Sequence, residues 1–201
     1  MTPVKVGVLD HGMGNLRSVA KALEAVGATV AVSADEGVLE QQDALCVPGQ
    51  GIFGRCVDEL VATGLESFVR AWITDERPYL GICLGMQVLF EQSAEGGQVA
   101  GLGVLQGRVV KLQGSVVVPH IGWNTVGDTY YYFDHSYVVV PDDPSIVAGW
   151  TEHGSRFAAT IDTGPILGVQ FHPEKSGRAG LSLLRRWTAD AAHRRARQES
   201  A

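Results

Sequence analysis

Residues 79–85 read Tyr79-Leu80-Gly81-Ile82-Cys83-Leu84-Gly85 and join a short apolar run to a Gly-x-Cys-x-Gly motif. The apolar run has the length of a buried strand, and helical spacing begins after it. A chain that reverses sharply between a strand and a helix needs small residues beside the turn, which Gly81 and Gly85 provide. The motif has the form of a nucleophile elbow with cysteine in place of serine. It therefore predicts that Cys83 lies at the carboxyl end of a strand.

The chemistry of Cys83 follows from that position, although the motif leaves two interpretations open. At the start of a helix, the partial positive charge favours a thiolate, and the amide of Leu84 is free to stabilise an oxyanion. A buried, inert cysteine in a tight turn fits the motif equally well, because cysteine is among the residues most often buried. Cys46 lies within a strand and Cys56 on a helical face, so we expect core packing for both.

Strand-like and helix-like segments alternate outward from this motif. The predicted strands are Val4–Leu9, Thr29–Val32, Ala44–Val47 and Tyr79–Cys83, then Val104–Leu112, Val116–Val118, Tyr130–Phe133, Tyr137–Val140, Phe157–Ile161 and Ile166–Phe171. The predicted helices begin after Asn15, cover Phe53–Val61, Leu65–Ile73 and about Gly180–Ala192, and include one that starts over Gly85–Phe90. The alternation predicts an α/β fold: one domain over residues 1–201 with a doubly wound, mostly parallel sheet flanked by helices. The second half adds antiparallel strands.

Composition excludes several classes of function. The net charge of −6 argues against nucleic-acid binding, which depends on neutralising phosphates. Three cysteines without a CxxC pair argue against a disulfide framework or a zinc site. The first residues do not have the pattern of a signal peptide, and no apolar run reaches the roughly 20 residues of a membrane span. We therefore expect a cytoplasmic protein with a reduced, reactive thiol.

Six histidines compete as the base for Cys83. His172 is favoured because it ends the apolar run Ile166–Phe171, and Pro173 biases it toward an extended conformation. In an extended chain Glu174, two residues further on, would project on the same side and orient the imidazole. Of the others, His11 and His153 are expected in solvated loops, His193 belongs to a basic tail, and His120 and His135 are structural or face a partner.

Two glycine-rich segments could bind a ligand. Pro48-Gly49-Gln50-Gly51 follows a strand and could turn backbone amides toward an oxyanion, although it also fits an ordinary strand-to-helix turn. Gln87 lies one helical turn past Cys83, so its amide could flank a substrate. Asp10–Asn15 lacks both the Gly-x-Gly-x-x-Gly spacing and the Walker lysine, which argues against nucleotide binding.

The motif Gly81–Gln87, together with the distant His172-Pro173-Glu174, resembles the class I (triad) glutamine amidotransferases. Further segments resemble, within that family, the glutaminase subunits of imidazole glycerol phosphate synthases; they are Asp10–Leu16, Pro48–Phe53, Pro119–Asn124 and Tyr132–Tyr137. The resemblance implies that Cys83 forms a glutamyl thioester and His172 acts as base and then acid, oriented by Glu174. It implies no cofactor and no metal. The implied oxyanion hole and glutamine-binding residues are Gly49, Gln50, Gly51, Leu84, Gln87, Ser136 and Tyr137.

The resemblance also implies a partner. The chain would form a heterodimer with a TIM-barrel cyclase subunit, with His120, Trp123 and Asn124 facing the interface and ammonia passage. The ammonia would serve to make imidazole glycerol phosphate and AICAR in histidine biosynthesis. Two alternatives stay open: the glutaminase subunit of another synthase, or a catalytically silent regulatory subunit. Gln50 stands where the family often has a small apolar residue, in a loop that the resemblance implies rearranges when the partner is loaded. Asp134 stands where an apolar residue is common, next to the expected substrate strand.

Overall fold

The computed structural model describes residues 3–198, so the predicted domain of residues 1–201 extends beyond the described residues at both ends. The strands are β1 Lys5–Leu9, β2 Thr29–Ser33, β3 Ala44–Gly49, β4 Tyr79–Cys83, β5 Phe90–Ser93, β6 Val99–Ala100, β7 Leu105–Lys111, β8 His120–Val126, β9 Thr129–His135, β10 Tyr137–Pro141, β11 Val147–His153, β12 Ser155–Asp162 and β13 Ile166–Val169. The helices are α1 Leu16–Ala25, α2 Glu36–Glu40, α3 Phe53–Ala62, α4 Leu65–Thr74, α5 Leu84–Gln87 and α6 Gly177–Gln198, with 3-10 turns at Pro144–Ile146 and Pro173–Lys175.

A seven-stranded sheet in the order β11-β12-β13-β4-β3-β1-β2 forms the centre of the molecule. The strands from β2 to β13 in this order run parallel, and β12 and β11 extend the edge in antiparallel fashion. Strands β3 and β4 are buried along their whole length, which explains their continuous apolar sequences. The predicted α/β class and the added antiparallel strands are confirmed.

Both faces of the sheet are covered. Leu23 of α1 and Trp187 of α6 belong to the core on one face, together with the inner side of the β8–β9 hairpin. Phe53 of α3 and Trp72 of α4 belong to the core on the other face, against which the four-stranded sheet β10-β7-β5-β6 also packs. Helix α1 begins as predicted, because the Asn15 side chain accepts a hydrogen bond from the Ser18 amide at 3.4 Å.

Two predicted elements are wrong. Val116–Val118 is not a strand but part of the loop before β8, and Val117 is exposed. The predicted helix over Gly85–Phe90 is only the single turn α5, and Phe90 starts β5. The apolar run that follows α5 enters the second sheet, where pairing with β7 replaces helical hydrogen bonds. The observed elements α2, β5, β6, β8 and β11 were not predicted. Helix α6 extends beyond its predicted bounds at both ends.

Candidate active site

The turn between β4 and α5 has the predicted elbow geometry. Cys83 has φ 53° and ψ −106°, a conformation in which an L-residue is strained. A Cβ on Gly81 would lie 2.6 Å from the Gly85 carbonyl oxygen, and one on Gly85 would lie 1.8 Å from that of Val47. Both glycines are therefore required by close backbone approach. Because α5 has a single turn, its dipole contributes less to thiolate stability than a long helix would.

His172 and Glu174 form a buried pair at the end of β13. His172 Nδ1 lies 2.9 Å from Glu174 Oε1, and the two side chains are 4% and 2% exposed. His172 is extended as predicted, with φ −103° and ψ 97°, but the chain does not stay extended as far as Glu174, because residues 173–175 form a 3-10 turn. The turn nevertheless brings the carboxylate onto the imidazole. With Nδ1 occupied, His172 Nε2 is buried without a hydrogen-bond partner among residues 3–198 and is the atom available for proton transfer.

The electrostatics of this pair favour a protonated imidazole. Burial by itself lowers the pKa of His172, but the neighbouring Cys83 sulfur and the Glu174 carboxylate outweigh it and raise the pKa to about 10. An imidazolium beside a cysteine stabilises the thiolate, which is the nucleophilic form. The arrangement is therefore suited to nucleophilic attack by Cys83 with a proton held ready on His172.

Gln170 is a site residue that the sequence analysis missed. It is fully buried, and its Nε2 lies 3.4 Å from Cys83 Sγ. Its Oε1 accepts a hydrogen bond from Gln87 Nε2 at 2.9 Å, and the same Gln87 nitrogen donates to the Tyr137 carbonyl at 2.9 Å. The available signal was a lone polar residue at the end of the apolar run Ile166–Phe171. Gln87 is thereby fixed, because both of its amide hydrogens are used. Among residues 3–198 its Oε1 has no donor, so it can accept a hydrogen bond from a ligand.

A pocket of about 200 Å³ opens beside the Cys83 sulfur. It brings together six of the predicted substrate-binding residues, the predicted nucleophile Cys83 and four residues that were not predicted; the lining is Gln50, Gly51, Cys83, Leu84, Gln87, Glu95, Pro119, Asp134, His135, Ser136 and Tyr137. Among the residues not predicted, Glu95 places a carboxylate in the lining. Its Oε2 accepts a hydrogen bond from the Phe53 amide at 2.7 Å, which holds the side chain at the start of α3.

The loop over residues 49–51 borders this pocket. Gly49 pairs in register with Cys83, and a Cβ on Gly49 would lie 2.6 Å from Leu84 Cβ, so the loop and the elbow are in close contact. Gly51 has φ 123°, which a side chain would strain. Gln50 Nε2 lies 3.5 Å from Asp134 Oδ2, so the two departures from the family pattern contact each other. Lys175 Nζ is 3.7 Å from the same carboxylate oxygen.

His11 was predicted to be solvated, and this is wrong. It is buried beneath the loop, where its Nε2 donates to the Pro48 carbonyl at 2.6 Å and its Nδ1 lies 3.9 Å from Cys56 Sγ. Cys46 and Cys56 are fully buried, as predicted, and burial raises the pKa of the Cys56 thiol to about 12. The same cause raises the pKa of Cys46. Neither thiol is suited to act as a nucleophile.

The three predicted interface residues differ in exposure. Trp123 is 57% exposed on the outer face of the β8–β9 hairpin, beside the exposed Ile121. Asn124 is half-buried, and His120 is buried under the hairpin. The outer face is therefore available to a partner through Trp123, whereas His120 points into the molecule. In the part of the chain that the structure describes, no helix is both long and apolar enough to cross a membrane.

Residues 7–190 match the glutamine amidotransferase class-I family, and the chain belongs to this family. Among the curated relatives, "Imidazole glycerol phosphate synthase subunit HisH" of Aquifex aeolicus is 47% identical over 192 residues, which cover 88% of this chain and 92% of the relative. The protein of the same name from Cutibacterium acnes is 46% identical and covers 92% of this chain and 96% of its own. A solved glutamine amidotransferase superposes with a TM-score of 0.74 at 22% identity, covering 93% of this chain and 98% of the other, which shows the shared fold.

Proposed function

We propose that this chain is the glutaminase subunit of an imidazole glycerol phosphate synthase, in a heterodimer with a TIM-barrel cyclase subunit. The relatives that share its sequence over nearly their whole length carry that subunit name. Its product, ammonia, would pass to the cyclase, which forms imidazole glycerol phosphate. The observation that carries the proposal is the buried His172–Glu174 pair, with Nε2 unpaired, beside the strained Cys83.

The proposed reaction has two halves. The Cys83 thiolate attacks the side-chain amide carbon of glutamine, and amides of Leu84 and the 49–51 loop stabilise the developing oxyanion. His172 then gives its Nε2 proton to the leaving nitrogen, so that ammonia departs and a glutamyl thioester forms. In the second half His172 takes a proton from water, which attacks the thioester and releases glutamate. Glu174 holds the imidazole in orientation and stabilises its protonated form throughout.

The pocket suits the amino-acid end of glutamine. The Glu95 carboxylate offers a counter-ion for the α-ammonium, and the free Oε1 of Gln87 offers an acceptor. Ser136 and Tyr137 line the same pocket. A volume of about 200 Å³ limits the ligand to a small molecule. We therefore assign Glu95 to substrate binding together with the residues predicted from the sequence.

The test measures glutamate release from glutamine by the purified chain, first by itself and then with the cyclase subunit and its ribotide ligand. We expect strong stimulation in the complex, and loss of the activity in Cys83→Ala. Cys56→Ala, which alters another buried cysteine, is the matched control and should stay active. Full activity in Cys83→Ala would refute the assignment of the nucleophile. A demonstrated complex without glutaminase activity would instead support a silent regulatory subunit.

A further inference from the structure

A chain of hydrogen bonds runs beneath the β8–β9 hairpin toward the pocket. His135 Nδ1 lies 3.0 Å from the Tyr137 carbonyl oxygen, and His135 Nε2 lies 3.0 Å from His120 Nδ1. His120 Nε2 in turn lies 3.3 Å from Asn124 Nδ2. The outer end is anchored, because Asn124 Nδ2 also donates to the Glu152 carbonyl at 2.9 Å. We call these three side chains, Asn124, His120 and His135, the histidine relay.

The proton positions in the relay follow from its two ends. A carbonyl oxygen only accepts, so His135 carries its proton on Nδ1, and its Nε2 must accept from His120 Nδ1. His120 Nε2 is then an acceptor, which the Asn124 amide satisfies. This pattern requires both rings to be neutral. Burial lowers the pKa of His120 to about 4 and that of His135 to about 3, in agreement with two neutral rings.

Aromatic packing fixes the rings of the relay. His120 stacks between His153, at a centroid distance of 4.1 Å, and Phe133, at 4.9 Å. His153 was predicted to be solvated, but it is half-buried and donates from Nε2 to the Val117 carbonyl at 2.8 Å. It packs on the relay without being one of its hydrogen-bonded members. His153 therefore separates the effect of stacking from that of hydrogen bonding.

The inner end of the relay meets the substrate wall. The Tyr137 carbonyl accepts from His135 and also from Gln87 Nε2, so both of its lone pairs are used. Gln87 Nε2 continues to Gln170, whose own Nε2 contacts the Cys83 sulfur. His135 itself lines the pocket. The position of the Tyr137 carbonyl, and with it the orientation of Gln87, thus depends on the histidine at the end of the relay.

We propose that His135 and His120 are positioning residues for glutamine binding, acting through the Tyr137 carbonyl and Gln87. The inference rests on the proposed function and deepens it. A relay that serves only the stability of the core would allow His120 to be replaced by an apolar side chain without effect on ligand recognition. A relay that positions the wall makes recognition of glutamine sensitive to loss of the His120 donor. The rate at which Cys83 is alkylated by a reagent that does not contact this wall should stay unchanged.

The test uses the chain in complex with the cyclase subunit and two alkylating reagents. The first is 6-diazo-5-oxo-L-norleucine, which has the amino-acid end of glutamine, and the second is iodoacetamide, which lacks it. Both rates are followed by mass spectrometry at Cys83; Cys46 and Cys56 are fully buried. In His120→Leu we expect the diazoketone rate to fall about tenfold, because His135 Nε2 loses its partner, while the iodoacetamide rate changes less than about twofold. His120→Asn keeps a donor near the Nδ1 position and should recover most of the rate.

Two controls make the outcome decisive. His153→Leu removes the stacking partner but no bond of the relay, so its diazoketone rate should match the parent rate. If His120→Leu does not fold, His120→Gln takes its place as the test variant. It has the same amide group as His120→Asn but places it away from the Nδ1 position, so its diazoketone rate should be slow. Equal slowing with both reagents, no slowing with either, or equal slowing in His153→Leu would overturn the positioning role. A parent complex that the diazoketone does not alkylate would instead overturn the proposed function.

Discussion

Replacing Gly85 with alanine should disturb the packing of α5 against β3 next to the site, without removing any reacting group. The new Cβ would lie 1.8 Å from the Val47 carbonyl oxygen, whereas ordinary contacts begin at 3.4 Å. Backbone cannot rotate away as a side chain can, so β3 and α5 must separate by about 1 Å or more, and overpacking of this kind costs about 1–3 kcal/mol. For a chain of this length, about 2 kcal/mol corresponds to a fall in Tm of about 4–8 °C.

Gly85→Ala should lower the catalytic rate more clearly than it lowers the stability of the fold. Gly49 lies two residues beyond Val47 on β3 and pairs with Cys83, so the separation moves the loop amides away from the position of the oxyanion. A misplacement of about 1 Å can lower the rate about a hundredfold, and we expect kcat for glutamine to fall by that order. The assay is glutamate release by the complex with its ribotide ligand, accompanied by thermal unfolding.

Gly54→Ala is the matched control for this prediction. Its Cβ would lie 3.6 Å from a Val99 methyl group, an ordinary contact, and the residue lies in the first turn of α3. Alanine favours helix over glycine by up to about 1 kcal/mol, so this variant should be as stable as the parent or more so, with unchanged kcat. A Gly85→Ala complex with kcat within about threefold of the parent would refute the argument that close approach of β3 sets the oxyanion geometry.

Two further predictions concern charge and the mouth of the pocket. The folded pKa of His172, about 10, lies above its ordinary value of 6.5, so the protonated ring stabilises the fold fully below pH 6.5 and loses this contribution as the pH rises through 10. Glu174→Gln removes one cause of the raised pKa. Urea denaturation should show a free energy of unfolding that is about 2 kcal/mol lower than that of the parent at pH 7, and a smaller decrease between pH 7 and pH 10 than in the parent. The same decrease between pH 7 and pH 10 in both proteins would contradict this. Gln50→Ala breaks the contact with Asp134 across the pocket mouth. The free energy of unfolding should change by less than about 0.5 kcal/mol, because such exposed contacts are weak. If the contact holds the loop at rest, glutamine hydrolysis without the partner should rise about twofold, which corresponds to the same free energy of about 0.5 kcal/mol. A rate equal to that of the parent would count against this.

The parallel core and the meeting of Cys83 with His172 were predictable because both depend on local patterns. Each residue follows a buried apolar run, and the carboxyl ends of parallel strands meet at one edge of a sheet. The second half was harder because most of its strands pair antiparallel while β5 pairs parallel with β7, and this order depends on tertiary contacts rather than on periodicity. The run after Gln87 illustrates the difficulty, since a short apolar segment fits a helix and a strand equally well. Gln50 and Asp134 stood out separately, but 84 residues separate them, and only the fold brings them together.

Strand alternation alone could have predicted that the two histidines of the relay face the interior. Along β9, Tyr131, Phe133 and His135 are buried, whereas Tyr130 is exposed and Asp134 is half-buried. A period of two therefore places His135 on the inner face, and its register partner on β8 is His120. Two histidines in an apolar layer are costly unless each polar atom has a partner, and the relay supplies those partners without adding charge. The same alternation turns Asp134 outward toward Gln50 and Lys175, so a single strand carries both the inner support of the substrate wall and a contact at the mouth of the pocket.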